Sequence, residues 1–225
     1  MSYLFQSISE SCFSEKKLQL FRRLLACIFI LQCIPLADAT TILGMDIDQL
    51  ARDAEFIFEG EVIAIQSRQD NGDIISTYVT FTVSEVIKGD ANRDTIELEF
   101  LGGSIDGRMT QVSGLTLPGL GEQGIYFVES TSRDLVNPLL GWSQGHFLIN
   151  ADRDGTLRIS TVDNKPVSQV QSVSSIPQSI KRPQAIIEDN SQVAAGITTQ
   201  SSALMIDRAL TVDEFKARIR ELIEN

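Results

Sequence analysis

Ile75-Ser76-Thr77-Tyr78-Val79-Thr80-Phe81-Thr82-Val83-Ser84 repeats with a period of two for ten residues. Ile75, Thr77, Val79, Phe81 and Val83 point one way and Ser76, Tyr78, Thr80, Thr82 and Ser84 the other, the pattern of a half-buried antiparallel strand. Downstream, Ile96, Leu98 and Phe100 alternate with Glu97 and Glu99 in the same manner. Working outward from these two, the spacing predicts further strands over 56–65, 124–129, 142–149 and 156–161, and a short one near 109–113. Turn signals separate them: Asp70-Asn71-Gly72, Lys88-Gly89-Asp90, Gly102-Gly103, Pro118-Gly119 and Asp154-Gly155. Short strands at this spacing, with one helix among them, predict a mostly β fold: a small antiparallel barrel of five to seven strands, or a sandwich. The β domain is expected to span 40–162.

Both flanks carry helix signals. Asp46 with Gln49 has the form of a capping box, and Ile47, Leu50, Ala51 and Ala54 share a helical face. Residues 163–203 are expected to be a flexible linker, because 165–203 hold 8 Ser, 6 Gln and the prolines 166, 177 and 183, and ordering them would bury little apolar surface. Residues 204–225 should then carry a C-terminal helix. Thr211 and Glu214 form a second capping box, Val212, Phe215, Ile219 and Leu222 share a face, and Glu214 can pair with Arg218. So short a helix is marginal alone, so its stripe must dock, either on the barrel or on a partner through Phe215, Ile219 and Leu222.

Residues 1–39 read as a signal peptide. Lys16, Lys17, Arg22 and Arg23 form its positive region, 24–36 its apolar core, and Ala37-Asp38-Ala39 places small residues where a signal peptidase reads. Cleavage after Ala39 leaves Thr40 as the N-terminus. A membrane anchor needs about 20 apolar residues, whereas this run is shorter and holds Gln32 and Pro35. Leu24-Leu25-Ala26-Cys27 has the form of a lipoprotein cleavage box, but Arg22 and Arg23 stand where its apolar stretch should be. The expected location is therefore the periplasm or the medium. Cys12, Cys27 and Cys33 all lie in the presequence, so the mature chain has no thiol for a disulfide or a thiolate metal site. Its 186 residues suffice for one core with a tail. With 15 basic and 27 acidic residues its net charge is −12, which disfavours nucleic acid and anionic lipid as partners.

Three motifs resemble chemistry. Gly141-Trp142-Ser143-Gln144-Gly145 matches the nucleophile elbow of α/β hydrolases, and His146 follows. An elbow needs a strand-to-helix turn with its histidine on a distant loop. Here the only histidine is three residues from Ser143, on the opposite face of an extended segment, and Phe147-Leu148-Ile149 continues as strand. A serine hydrolase using Ser143 and His146 is thus the alternative, set against a non-enzymatic reading. Asn150, Asp152, Asp154 and Gly155 have EF-hand loop spacing, but Thr161 stands where the bidentate Glu belongs, so an acidic hairpin turn over 150–155 explains them more simply than calcium does. Glu59/Glu61 and Glu97/Glu99 each line one strand face and read as the wet side of a sheet. No catalytic residue, cofactor or metal site is assigned.

The stretch Asp53-Ala54-Glu55-Phe56-Ile57-Phe58-Glu59-Gly60-Glu61-Val62-Ile63-Ala64-Ile65, followed by Tyr78-Val79-Thr80-Phe81-Thr82-Val83-Ser84-Glu85-Val86-Ile87-Lys88-Gly89, resembles bacterial members of the tissue-inhibitor-of-metalloproteinases and netrin-module group. The resemblance covers residues 50–130 and implies an OB-like Greek-key barrel. Gly102-Gly103, Leu117-Pro118-Gly119, Gly124-Ile125-Tyr126-Phe127 and the Gly141–Phe147 stretch also resemble uncharacterised secreted bacterial proteins, which makes Ser143 a strand residue. The inhibitor family chelates a protease zinc through the main chain of a disulfide-held N-terminal cysteine. This chain offers Thr40, next to Thr41, in that place. The reading is an exported, non-enzymatic protein-binding module whose partner is an exported protein, with a protease the first candidate. A structural envelope or matrix component tethered through the C-terminal helix is a further alternative.

Overall fold

The computed structural model describes residues 44–69, 74–175 and 193–224. The capping box is formed: Asp46 Oδ1 accepts from Gln49 N at 2.7 Å, and the Gln49 side chain accepts from Asp46 N at 3.2 Å, opening helix α1 (Ile47–Asp53). Lys88 closes its other end, donating from Nζ to the carbonyls of Ala51 and Arg52. After α1 come β1 (Phe56–Gln69), β2 (Ile75–Lys88), β3 (Thr95–Leu101), the short hairpin β4 (Gly103–Ile105) and β5 (Arg108–Thr110), β6 (Gln123–Val128), β7 (His146–Ala151), β8 (Leu157–Thr161), β9 (Val167–Val170), β10 (Ile197–Thr199) and helix α2 (Val212–Glu224).

Six strands form one antiparallel sheet in the order β3-β2-β1-β6-β7-β8, and β9–β10 and β4–β5 form two small ribbons. The mostly β, antiparallel expectation is met. The described sheet is open, however, since no pairing joins β3 to β8, and a closed barrel is therefore not formed. β1 holds the two halves together. Its first half pairs with both β2 and β6, and register shifts at Ile57/Phe58, Glu59/Gly60 and Val62/Ala64 mark bulges, the means by which a strand bends. Gly60 is required at this bend, because a Cβ there would stand 2.2 Å from the Thr82 carbonyl oxygen.

The first half of β1, up to Val62, and β6 are buried on both faces. Ile57, Ile125 and Phe127 face a core completed by α1, α2, Phe147, Ile149, Ile159 and Val167. Phe56, Phe58, Tyr126 and Val128 face a second core with Val79, Phe81, Leu98 and Phe100, over which Leu115, Leu117 and Leu139 pack from loops. An aromatic cluster runs through the second core: Phe58, Phe81 and Tyr126 have ring centroids 4.7 to 5.5 Å apart.

Three expectations need correction. The strand expected over 142–149 begins only at His146, because Gly141 and Trp142 both adopt left-handed φ, at 64° and 59°, and turn the chain into a 3-10 helix (Trp142–Gly145). The linker expected over 163–203 contains paired structure on both sides of 176–192, which lies outside the described residues. β9 pairs with β10, and Val167, Val170 and Ala194 enter the first core. The expected C-terminal helical segment 204–225 is helix only from Val212, where the Thr211/Glu214 box opens it, because 203–208 form a separate 3-10 turn that Ser202 caps by accepting from Leu204 N.

Candidate functional site

The hydrolase-like motif sits at the entry to β7. The amide of Leu140 bonds the Phe127 carbonyl at 2.8 Å and that of Trp142 the Leu139 carbonyl at 3.0 Å, so the chain passes over the end of β6 before turning. A Cβ at Gly145 would stand 2.2 Å from the Leu140 carbonyl oxygen, so only glycine lets the turn close this tightly. The turn buries Gln144, whose Oε1 accepts from the Met45 amide at 2.8 Å. The Met45 carbonyl accepts from Ala195 N at 2.8 Å, and Ile47 N donates to the Ala195 carbonyl at 2.9 Å. The segment leading into α1 is thereby pinned between two parts of the chain about 100 and 150 residues away, without a covalent link.

His146 is 1 % exposed. Its Nε2 lies 2.7 Å from Glu122 Oε1, and because a carboxylate only accepts, Nε2 carries the proton. Nδ1 is buried without a hydrogen-bond partner, so the Ser143 hydroxyl reaches neither ring nitrogen. A serine nucleophile activated by His146 needs that contact, and the structure does not make it. The imidazole instead stacks against Tyr126, centroids 5.0 Å apart, and Tyr126 Oη donates toward Glu122 at 3.4 Å. Burial, and then the Glu122 charge, push the Tyr126 phenol far above its usual range. Glu122, Tyr126 and His146 thus form a polar plug at one end of the aromatic cluster. Glu122 also ties its loop to the sheet, its carbonyl accepting from Val62 N at 3.0 Å.

The acidic turn is internally satisfied. Asp152 Oδ1 accepts from the amides of Asp154 and Thr156, and Oδ2 from Arg158 Nε, all at 2.9 Å. The Arg158 bond is the main reason its carboxyl is held below the ordinary range. Asn150 turns to Ser160, donating at 2.7 Å. Among the described residues, no group of three or more His, Cys, Asp or Glu side chains is placed to hold a metal ion.

The helix residues considered for partner contact lie elsewhere than expected. Phe215 and Ile219 are fully buried and Leu222 nearly so, all within the first core, which leaves this stripe no surface for a partner. Docking is also ionic. Lys216, 6 % exposed, donates to Glu59 at 2.7 Å and to Glu85 at 2.6 Å, and Arg220 bonds the other oxygen of Glu85. Burial alone would lower the Lys216 pKa, but the hydrogen bonds to Glu59 and Glu85 outweigh it and hold the ammonium above its usual value. Glu85 is held below its own, chiefly by the bond from Lys216. Glu59, expected on a wet face, thus meets a helix. Glu214 completes its box with Thr211, while Arg218 reaches Glu221 at 2.9 Å.

Ala37, Ala39, Thr40 and Thr41 lie outside the described residues. Sequence reasoning missed Gln144, Glu122 and Lys216, whose partners stand 99, 24 and 131 to 157 residues away. No local pattern encodes such pairings. The strand-interior glycines Gly60 and Gly124 were the one available signal of close backbone approach. Among the described residues no helix is long and apolar enough to cross a membrane. No family model, curated protein or solved structure matches the chain.

Proposed function

We propose that this chain is an exported, non-enzymatic protein-binding module, released to the periplasm or medium by cleavage between Ala39 and Thr40. Its partner is another exported protein, an exported protease being the first candidate, and Thr40 and Thr41 belong to the contact surface. The observation that carries this reading is the clamp on Met45. Gln144 and Ala195 hold its amide and carbonyl, so a segment leaving upstream departs from a fixed point, and preorganisation lowers the entropy cost of binding. An OB-like arrangement is part of the proposal. It is supported by the sharing of the bent β1 between β2 and β6 in the order β3-β2-β1-β6-β7, with the described sheet open beyond it. The separation of Ser143 from the His146 ring speaks against the hydrolase alternative, and the burial of Phe215, Ile219 and Leu222 speaks against an envelope tether through α2.

The test is to express the full-length gene with a C-terminal tag in its own host, retrieve the protein from periplasm and medium under mild crosslinking, and read its N-terminus and companions by mass spectrometry. A start at Thr40 with one enriched exported protease, lost when residues 40–43 are deleted or Gln144 becomes Ala, is the expected result. A start at Thr40 with nothing enriched sinks the reading.

A further inference from the structure

We infer that the outer edge of β1 over residues 63–67 is a self-association surface, on which a second copy of this chain pairs antiparallel to form a sheet continuous through both protomers. The pairing pattern shows which backbone groups are free. Gly102 N donates to Ile75 O and Val83 N to Asp94 O, so odd-numbered residues of β2 address β3 and even-numbered ones address β1. The register Ala64↔Thr80, Gln66↔Tyr78 and Arg68↔Ser76 then turns the backbone of Ala64, Gln66 and Arg68 inward and that of Ile65 and Ser67 outward. β6 pairs with β1 only up to Glu61, and the loop bonds from Gly121 and Glu122 stop at Val62. Among the described residues no backbone partner meets the outward groups of Ile65 and Ser67.

The side chains here are unlike those that protect an edge. Natural edges carry charges, proline or a covering segment. β8 is covered, with Ile159 N bonded to the Leu210 carbonyl and Thr161 N to that of Lys165. β3, whose outer edge is met only at Leu101 by the Val136 carbonyl, carries Glu97 and Glu99, which a symmetric pairing would set opposite their own kind. Residues 63–67 of β1 are Ile-Ala-Ile-Gln-Ser, without a charge, and Ile63 and Ile65 are 47 % and 42 % exposed. An antiparallel pairing centred on Ile65 sets Ile65 against itself, Ile63 against Ser67 and Ala64 against Gln66, with no like charges opposed. Self-complementarity of this kind is what a two-fold interface requires. The bulge at Val62/Ala64 limits the edge on its N-terminal side, which predicts a short, reversible contact rather than open-ended sheet growth.

The experiment is sedimentation velocity on the purified tagged protein from about 1 to about 100 μM, at low and at moderate salt, concentrations that bracket a weak dimer. A concentration-dependent monomer–dimer equilibrium is expected, strengthened by salt because each mature copy carries a formal charge of −12. Ile65→Lys, which adds a charge to the edge, and Ile65→Pro, which removes one outward amide, should each weaken it at least tenfold while the far-UV spectrum and melting cooperativity stay unchanged. Glu99→Lys on β3 should leave it alone. A monomer at every concentration, a dimer indifferent to both Ile65 variants, or a dimer lost with Glu99→Lys overturns the inference. The readout is independent of the proposed partner, so failure here leaves the Met45 clamp reading standing.

Discussion

The two ends of the six-stranded sheet are finished in opposite ways. At the β6-β7-β8 end, both helices, β9 and the Lys165 and Leu210 segments close over the face and the edge, and apart from α1 that cover comes from residues beyond 160. At the other end, β1, β2 and β3 follow one another in sequence, bury one face under loop residues, and among the described residues leave the β1 edge beyond Val62 without a strand partner and the β3 edge met only at Leu101, whose amide bonds the Val136 carbonyl. The first end depends on long-range closure and the second on neighbouring hairpins. A domain can therefore hold its stability at one end and its surface for encounters at the other, as the strand-end contrast in covering segments implies.

The sharpest way to break this comparison is Phe215→Ala. If α2 is part of the cooperative core, the cost is about 3 to 5 kcal/mol and one unfolding transition remains in urea. An early, separate loss of helix signal would show that α2 is merely appended. Next comes Gly60→Ala at the junction of the two ends, where the new Cβ meets the Thr82 carbonyl. It should cost about 1 to 3 kcal/mol by chemical denaturation. Lys216→Met, which strips the ion pairs from the helix–sheet contact, should cost about 2 kcal/mol, because Glu59 and Glu85 lose a charged hydrogen-bond donor but keep partial access to water.

The same contact sets a pH window. Glu85 titrates lower in the folded state than its ordinary 4.5, so its contribution is complete above that value and disappears as pH falls through the folded one. Lys216 titrates higher than its ordinary 10.5, so its contribution is complete below that value and disappears as pH rises past it. Melting temperature should be flat between, fall on both sides, and lose part of its alkaline limb in Lys216→Met. The smallest effect belongs to the exposed wing. Glu97→Gln, which removes the surface bridge to Arg68, should change stability by about 0 to 1 kcal/mol in the same denaturation assay.

The legible parts of the chain were those whose cause is local. The alternation of 75–84 and of 96–100 placed β2 and β3, and Asp46/Gln49 and Thr211/Glu214 placed the two helix starts. The strand over 142–149 was misread at its beginning because apolar alternation says nothing about the left-handed turn at Gly141 and Trp142, which the packing of Gly145 on Leu140 enforces. Residues 163–203 look like linker by composition, yet Val167, Val170 and Ala194 are spaced sparsely enough to escape notice while still filling one side of a core. Of the candidate site, the motif at 141–146 was visible, but its use as a clamp on Met45 was not.

By itself, the sequence determined that this protein is built of antiparallel strands flanked by two capped helices, because period, caps and turn residues act over a few neighbouring positions. Only the tertiary structure decided that the described sheet stays open, that Lys216 bridges Glu59 and Glu85, and that Gln144 holds Met45. Those contacts join residues about a hundred or more positions apart, so their partners are brought together by the folded sheet and not by anything adjacent in the chain.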